Sequence, residues 1–342
     1  MSKLSETVSH SIAEQRFIKQ LQTLQPMMMA SVKSENYALT LYQSGARQTL
    51  FYLEGLARMY RNMHNRKRFE RMRIAFKLIE DQLGKVDYYD SFVKEFSAQE
   101  NFPPVLISNL KQHYDEELIR MNEILCEQKW ITDDFFMFKK LLGELRDADW
   151  KKAKKDRRAI AEIMLAQVNF VQDSYERGVL NFQSIEKGVH EFRRQIRWIS
   201  IYAQALDGLI QLRQVAVTNP KLQMYLTKEI IDNPFNKMPE PEKNIQPVFI
   251  EAPNFYALSW IIDKGGQLKD EALRIIVIED AMTETKFTGV TEIKQAARQL
   301  AMASTHSLHE IKDSMEVIAD DFIYDHKVLK RIGRDLLREL HS

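Results

Sequence analysis

The chain has one cysteine, Cys126. A single thiol cannot form an internal disulfide or a cysteine-rich zinc site, and it suits a reducing compartment. Its expected role is that of a small apolar helix residue. Glycine and proline are also scarce, 11 and 9 in 342 residues. Few turn formers over this length exclude a sheet protein, which needs many tight connections, and point to long helices. Charge of one sign is missing as well: 49 Lys and Arg stand against 48 Asp and Glu. The near-zero total excludes a global demand for a nucleic acid or a membrane surface. No apolar run approaches a membrane span, "MMMA" (27–30) being far too short, and the first residues lack the apolar core of a signal peptide. Cytoplasm is the expected location.

What is present is helical period. Residues 5–25 and 33–63 predict two helices. A third covers 66–82, with Gly84 of "QLGKVD" as its C-cap, followed by 88–98. Pro103 and Pro104 start another helix, to Gln128, and Thr132 and Asp133 signal an N-cap ahead of "FFMFKKLLGELR". Helices follow over 150–178 and 184–217. Residues 232–254 hold five of the nine prolines and predict a loop, with a short extended piece at "PVFIEAP". Helices resume at 254–264, 267–285 and 291–340, with the β-branched "RIIVIEDA" as buried helix. The fold class is all-α: two packed bundles of long antiparallel helices, residues 1–180 and 181–342, with the Pro-rich loop in the second. The similar segments "QLGKVD", "LLGELRDAD" and "KGGQLKDEA" suggest pseudo-symmetry between the bundles.

The stretch "GVHEFRRQIRW" (188–198) stands out. At about 100° per residue, Val189, Phe192, Ile196, Ile199, Ala203, Leu206 and Ile210 share a core-facing stripe. His190, Arg193, Arg197 and Gln204 form a second stripe beside it, while Trp198 and Tyr202 fall on a third side. A basic stripe at the edge of a core stripe is where a groove between helices forms. Arginine offers a fork of donors that matches phosphate oxygens, and histidine adds one or two more. The alternative is a solvated face or ion pairing with a neighbouring helix.

Charge is segregated elsewhere too. Arg47, Arg58, Arg61, Arg66, Lys67, Arg68, Arg71, Arg73 and Lys77 face only Glu54, Glu70 and Glu80 within 44–80. "KKAKKDRR" (151–158) reads as an exposed helix surface, and Glu310, Asp313, Glu316, Asp320 and Asp321 as an acidic face. Catalytic patterns are absent. No Glu precedes a His by three, so a di-iron bundle is excluded. His306 and His309 make one i, i+3 pair, and no phosphate loop, dinucleotide fingerprint or nucleophile elbow occurs. No cofactor and no enzymatic activity are expected.

These residues resemble the CHAD domains, helical proteins in which two similar bundles surround a basic channel for inorganic polyphosphate. Their helix motif is His followed by basic residues three, seven and ten positions on. His190, Arg193 and Arg197 match its first three positions, and Ser200 stands at the fourth. Their turn, Leu-Gly-x-x-Arg-Asp-x-Asp, is matched by Leu142, Gly143, Arg146, Asp147 and Asp149, and in part by Gly266, Lys269 and Asp270. In the first half Arg47 takes the motif's first arginine, while Ser44, Phe51 and Glu54 stand at its other positions. The resemblance implies a divergent member that binds polyphosphate or another phosphate-rich anion. His190, Arg193 and Arg197 would line the site, joined by Arg47, Arg71, Arg73 and Lys77. The competing expectation is a helical scaffold with a protein partner and no small ligand. A third is a phosphate-handling enzyme using a histidine of the stripe. Neither a membrane nor a nucleic acid is an expected partner.

Overall fold

The computed structural model describes residues 11–217, 219–241, 246–287, 293–301 and 306–341. The class is all-α. The chain divides into two compact units, 1–156 and 157–342. Residues 157–180, which the sequence reading grouped with the first bundle, therefore fall in the second unit.

In the first unit α1 is Ile12–Val32, α2 Tyr37–Gln43 and α3 Ala46–Tyr60. Next come α4, Arg66–Ser97, α5, Pro104–Glu127, and α6, Phe136–Arg146. Helix α7, Ala153–Glu176, starts at the end of this unit. Side chains set several boundaries. Asn36 accepts from Leu39 N at the start of α2, and Asn65 accepts from Arg68 N at the start of α4. Pro104 occupies the first turn of α5, where no amide donor is needed. Gly45, at φ +76°, divides the predicted 33–63 helix into α2 and α3. Helices α3 and α4 run antiparallel, because Arg47 reaches Glu80 and Asp87 while Arg61 reaches Glu70. Helix α5 returns along α4, with Gln82 bonded to Glu117 and Tyr89 stacked on His113. Phe17, Tyr60, Phe69, Phe76 and Trp130 are fully buried. Each such side chain contributes about 1.5–3 kcal/mol relative to exposure.

Gly84 is not a C-cap: α4 runs through it to Ser97. The Arg47 guanidinium lies over it, and a Cβ there would stand 2.6 Å from Nη2. The missing side chain serves a close approach between helices, not a chain reversal. Gly143 is likewise internal to its helix, and α6 ends at Arg146 with Asp147 as C-cap.

In the second unit α7 leads to a π-helical turn, Ile185–His190, and then α8, Glu191–Ala205. Strand β1 is Ile210–Arg213, α9 Lys228–Ile231 and β2 Val248–Glu251. Helices α10, Ala252–Thr285, α11, Ile293–Leu300, α12, Leu308–Asp320, and α13, Val328–His341, complete the unit. Helix α10 packs on α8, α11, α12 and α13. It includes "RIIVIEDA" and passes unbroken through Gly265 and Gly266, where the sequence pattern divides it.

The predicted helix 184–217 is shorter than expected. Asp207 and Gly208 both adopt positive φ, and a Cβ on Gly208 would meet Glu240 O at 2.4 Å. The chain turns there, and Ile210, expected on the helical stripe, lies in β1. Strands β1 and β2 pair in parallel, Ile210 with Val248 through Arg213 with Glu251. Strand β2 is the extended piece of "PVFIEAP". The predicted 291–340 helix is three helices, α11 to α13, with a π-helical turn at Asp321–Asp325. Residues 5–10 of the first predicted helix, 242–245 of the Pro-rich loop, and 291–292 and 302–305 of the last helix lie outside the described residues.

Candidate functional site

The second unit carries the sequence motif. His190 ends the π-helical turn, half-buried, and Arg193 and Arg197 follow on α8, also half-buried. Val189, Phe192, Ile196, Ile199, Ala203 and Leu206 are buried, as their common stripe requires, and so are Trp198 and Tyr202 on the third side. Arg193 Nε donates to Ile262 O of α10 at 2.9 Å. Its guanidinium lies over Gly266, whose Cβ would stand 3.2 Å from Nε and Nη2. Arg193 is therefore positioned by a glycine notch on the neighbouring helix, as Arg47 is by Gly84. Both units use one local device, an arginine laid over a mid-helix glycine.

The electrostatics around His190 are uneven. Its pKa is lowered, first by burial and then by Lys269, Arg194 and Arg193, with Glu186 opposing. Arg194 pairs with Glu191 at 2.5 Å and Lys269 with Asp270 at 3.0 Å. Ser200, where the family motif has a cation, is buried.

The first unit's predicted cations are held differently. Arg47 donates to Glu80 at 2.8 Å and to Asp87 at 3.0 Å, and its guanidinium stands 5.5 Å from the Phe51 ring centroid. Arg73 pairs with Glu70 at 2.7 Å and approaches Glu54 at 3.5 Å. Lys77 pairs with Asp81 at 2.5 Å, and exposed Arg71 reaches Glu144 of α6 at 3.5 Å. Arg61 completes the row on Glu70 at 2.6 Å. Arg47 with Glu80 and Asp87, Glu54 with Arg73, and Arg61 just past α3 with Glu70 cross between α3 and α4, while Arg73 with Glu70 and Lys77 with Asp81 also pair within α4. The basic run is one half of an ion-paired seam between antiparallel helices. Hydrogen bonds from Arg73, and next from Arg61, pull the Glu70 carboxyl down to about 2.

A second buried polar centre of this unit escaped the sequence reading. Arg16 Nη1 donates to Tyr60 Oη at 2.6 Å and to Asp156 Oδ2 at 2.7 Å, with all three residues buried. Phe17, Phe69, Trp150 and His64 surround Tyr60. The available signal is Arg16 itself, a cation within the apolar stripe Ala13, Phe17, Leu21, Leu24. Burial lowers the His64 pKa.

The remaining sequence candidates are dispersed. Exposed His306 bonds Glu271 at 3.1 Å, and exposed His309 bonds Asp313 at 3.0 Å. Glu310 closes a capping box with Ser307, and Asp320 accepts from Tyr175 Oη at 2.8 Å. Cys126 is exposed rather than packed in the core. Among the described residues, no group of three or more His, Cys, Asp or Glu is arranged to hold a metal ion. No described helix is long and apolar enough to cross a membrane.

Fold and site together define an all-α chain of two compact units, each with an arginine fixed over a glycine of a neighbouring helix. The chain matches no protein-family model, no curated protein and no solved structure.

Proposed function

We propose that the protein is a non-catalytic, CHAD-like module that binds inorganic polyphosphate or another phosphate-rich anion through its second unit. The observation that supports this reading is the Arg193 guanidinium seated over Gly266 and bonded to Ile262 O, on one stripe with His190 and Arg197. His190, Arg193 and Arg197 would hold the anion, with Lys269 beside them. Arg193 is pre-positioned by Gly266 and Ile262 O, which lowers the ordering cost of binding. Arg47, Arg71, Arg73 and Lys77 are not assigned to this site, because they belong to the first unit and take part in its ion pairs. A cytoplasmic location goes with this reading. Polyphosphate titration of wild type, His190→Ala/Arg197→Ala and Arg47→Ala/Arg73→Ala tests it. The expected result is binding that weakens at least about tenfold in the second-unit variant and is kept in the first-unit one.

The ion-paired seam of α3 and α4 favours a second reading, a helical scaffold for a protein partner with no small ligand. Under it, wild type does not bind polyphosphate at any salt concentration.

A further inference from the structure

The α3–α4 seam contains one carboxylate that its surroundings do not satisfy. Glu54 is 1% exposed, and its Oε1 has no hydrogen-bond partner. Its ion-pair contacts are long, 3.5 Å to Arg73 and 3.8 Å to Arg58. The rest of the row is short: Arg47–Glu80 at 2.8 Å, Arg61–Glu70 at 2.6 Å and Lys77–Asp81 at 2.5 Å. The cations of the row remain reachable, with Arg73 17%, Arg58 23% and Lys77 34% exposed. Arg47, Arg58, Arg61, Arg73 and Lys77 balance Glu54, Glu70, Glu80, Asp81 and Asp87, five against five. The loosest member of that balance, Glu54, is also the most deeply buried.

We propose that the α3–α4 seam is an oxyanion site that ionised Glu54 holds closed and that protonated Glu54 opens. With Glu54 neutral the row carries one excess positive charge, concentrated at Arg58 and Arg73. A tetrahedral oxyanion such as sulfate or a phosphate group then bridges the two guanidinium edges, with Lys77 one turn away.

The groups acting on Glu54 come from its own helix and from α4: Lys77, Arg58 and Arg73 favour the anion, and Glu80 opposes it. Helix α1 also packs on α3. It carries Glu14, Arg16 and Lys19, and of these only Arg16 is buried, committed to Tyr60 and Asp156. Helix α2 brings no charged side chain. Burial outweighs the cations and pushes Glu54 up to about 7. The site therefore opens on mild acidification and closes above neutrality. This inference does not rest on the second unit's cations.

Sulfate is the appropriate probe, since its charge is constant between pH 6 and 8. If bound anion raises the Glu54 midpoint by one further unit, wild-type affinity rises about fivefold from pH 8 to pH 6. Added to His190→Ala/Arg197→Ala, which removes the second-unit site, Glu54→Gln, checked for folding by circular dichroism, binds at both pH values with the pH 6 affinity. His190→Ala/Arg197→Ala retains the wild-type response. Carbon-13 NMR of the wild-type Glu54 carboxyl reads the same coupling without any substitution, because sulfate must raise its midpoint. The proposal is overturned if sulfate leaves that midpoint unmoved, if the pH response persists when Glu54→Gln is added to the second-unit variant, or if it vanishes in the second-unit variant alone.

Discussion

Replacing Gly84 and Gly143 by alanine separates two kinds of mid-helix glycine. In an open helix interior, Gly→Ala stabilises by about 1 kcal/mol, because alanine loses less backbone entropy on folding. Gly143 is such a case, with no atom within 4 Å of an added Cβ. At Gly84 the added Cβ would stand 2.6 Å from Arg47 Nη2 and 3.1 Å from Cζ. The guanidinium must move, and it holds Glu80 at 2.8 Å and Asp87 at 3.0 Å. Asp87 is half-exposed, so its loss is nearly neutral. Glu80 is buried, and weakening its bond costs about 1–3 kcal/mol. The helix gain offsets part of that, leaving Gly84→Ala destabilising by about 1 kcal/mol. The two substitutions therefore differ by about 2 kcal/mol with opposite signs. Urea unfolding followed at 222 nm measures both. In an Arg47→Ala background the three atoms nearest the added Cβ are gone, and the gap closes. Equal effects in wild type, or a gap that survives Arg47→Ala, would refute the claim that Arg47 is seated on Gly84.

Other consequences follow from the buried charges. Asp156→Ala leaves Arg16 buried without its carboxylate and should cost about 3–5 kcal/mol; Arg16→Met/Asp156→Leu should recover most of it in the same unfolding assay. Glu54 has a folded pKa of about 7, above its unfolded value, so its contribution is greatest at low pH and is lost as pH rises through 7. Glu54→Gln should accordingly stabilise the protein at pH 8, by up to about 3 kcal/mol, and much less at pH 5; equal gains at both would contradict the assignment. His190 has the opposite sign. Its folded pKa is lowered, so stability is intact above about 6.5 and falls as pH drops below it. His190→Ala should flatten that loss in acid melts, and bound polyphosphate should raise the His190 midpoint in proton NMR.

Helical period and the scarcity of turn formers made the all-α class legible, and "PVFIEAP" marked β2. The boundaries that failed did so for tertiary reasons. Gly84 and Gly266 look like helix ends in sequence, yet each accommodates an arginine from another helix, which no local pattern records. The turn at Asp207 and Gly208 was missed because Leu206 and Ile210 continue the helical stripe on either side. The stripe of His190, Arg193 and Arg197 was legible by angle alone, as was the separate side that carries Trp198 and Tyr202. The pairing of Arg47 was not: its partner Glu80 stood in the counted stretch, but assigning it requires the antiparallel register of α3 on α4, whereas Arg73 with Glu70 and Lys77 with Asp81 pair within α4 at three- and four-residue spacing.

The proposed function turns on which cations meet a phosphate-rich anion. Nitrogen-15 NMR of the arginine Nε–Hε groups during tripolyphosphate titration reads it directly. Saturable shifts at Arg193 and Arg197 that weaken as salt is raised are expected. Shifts confined to other arginines, or none at low salt, would contradict it.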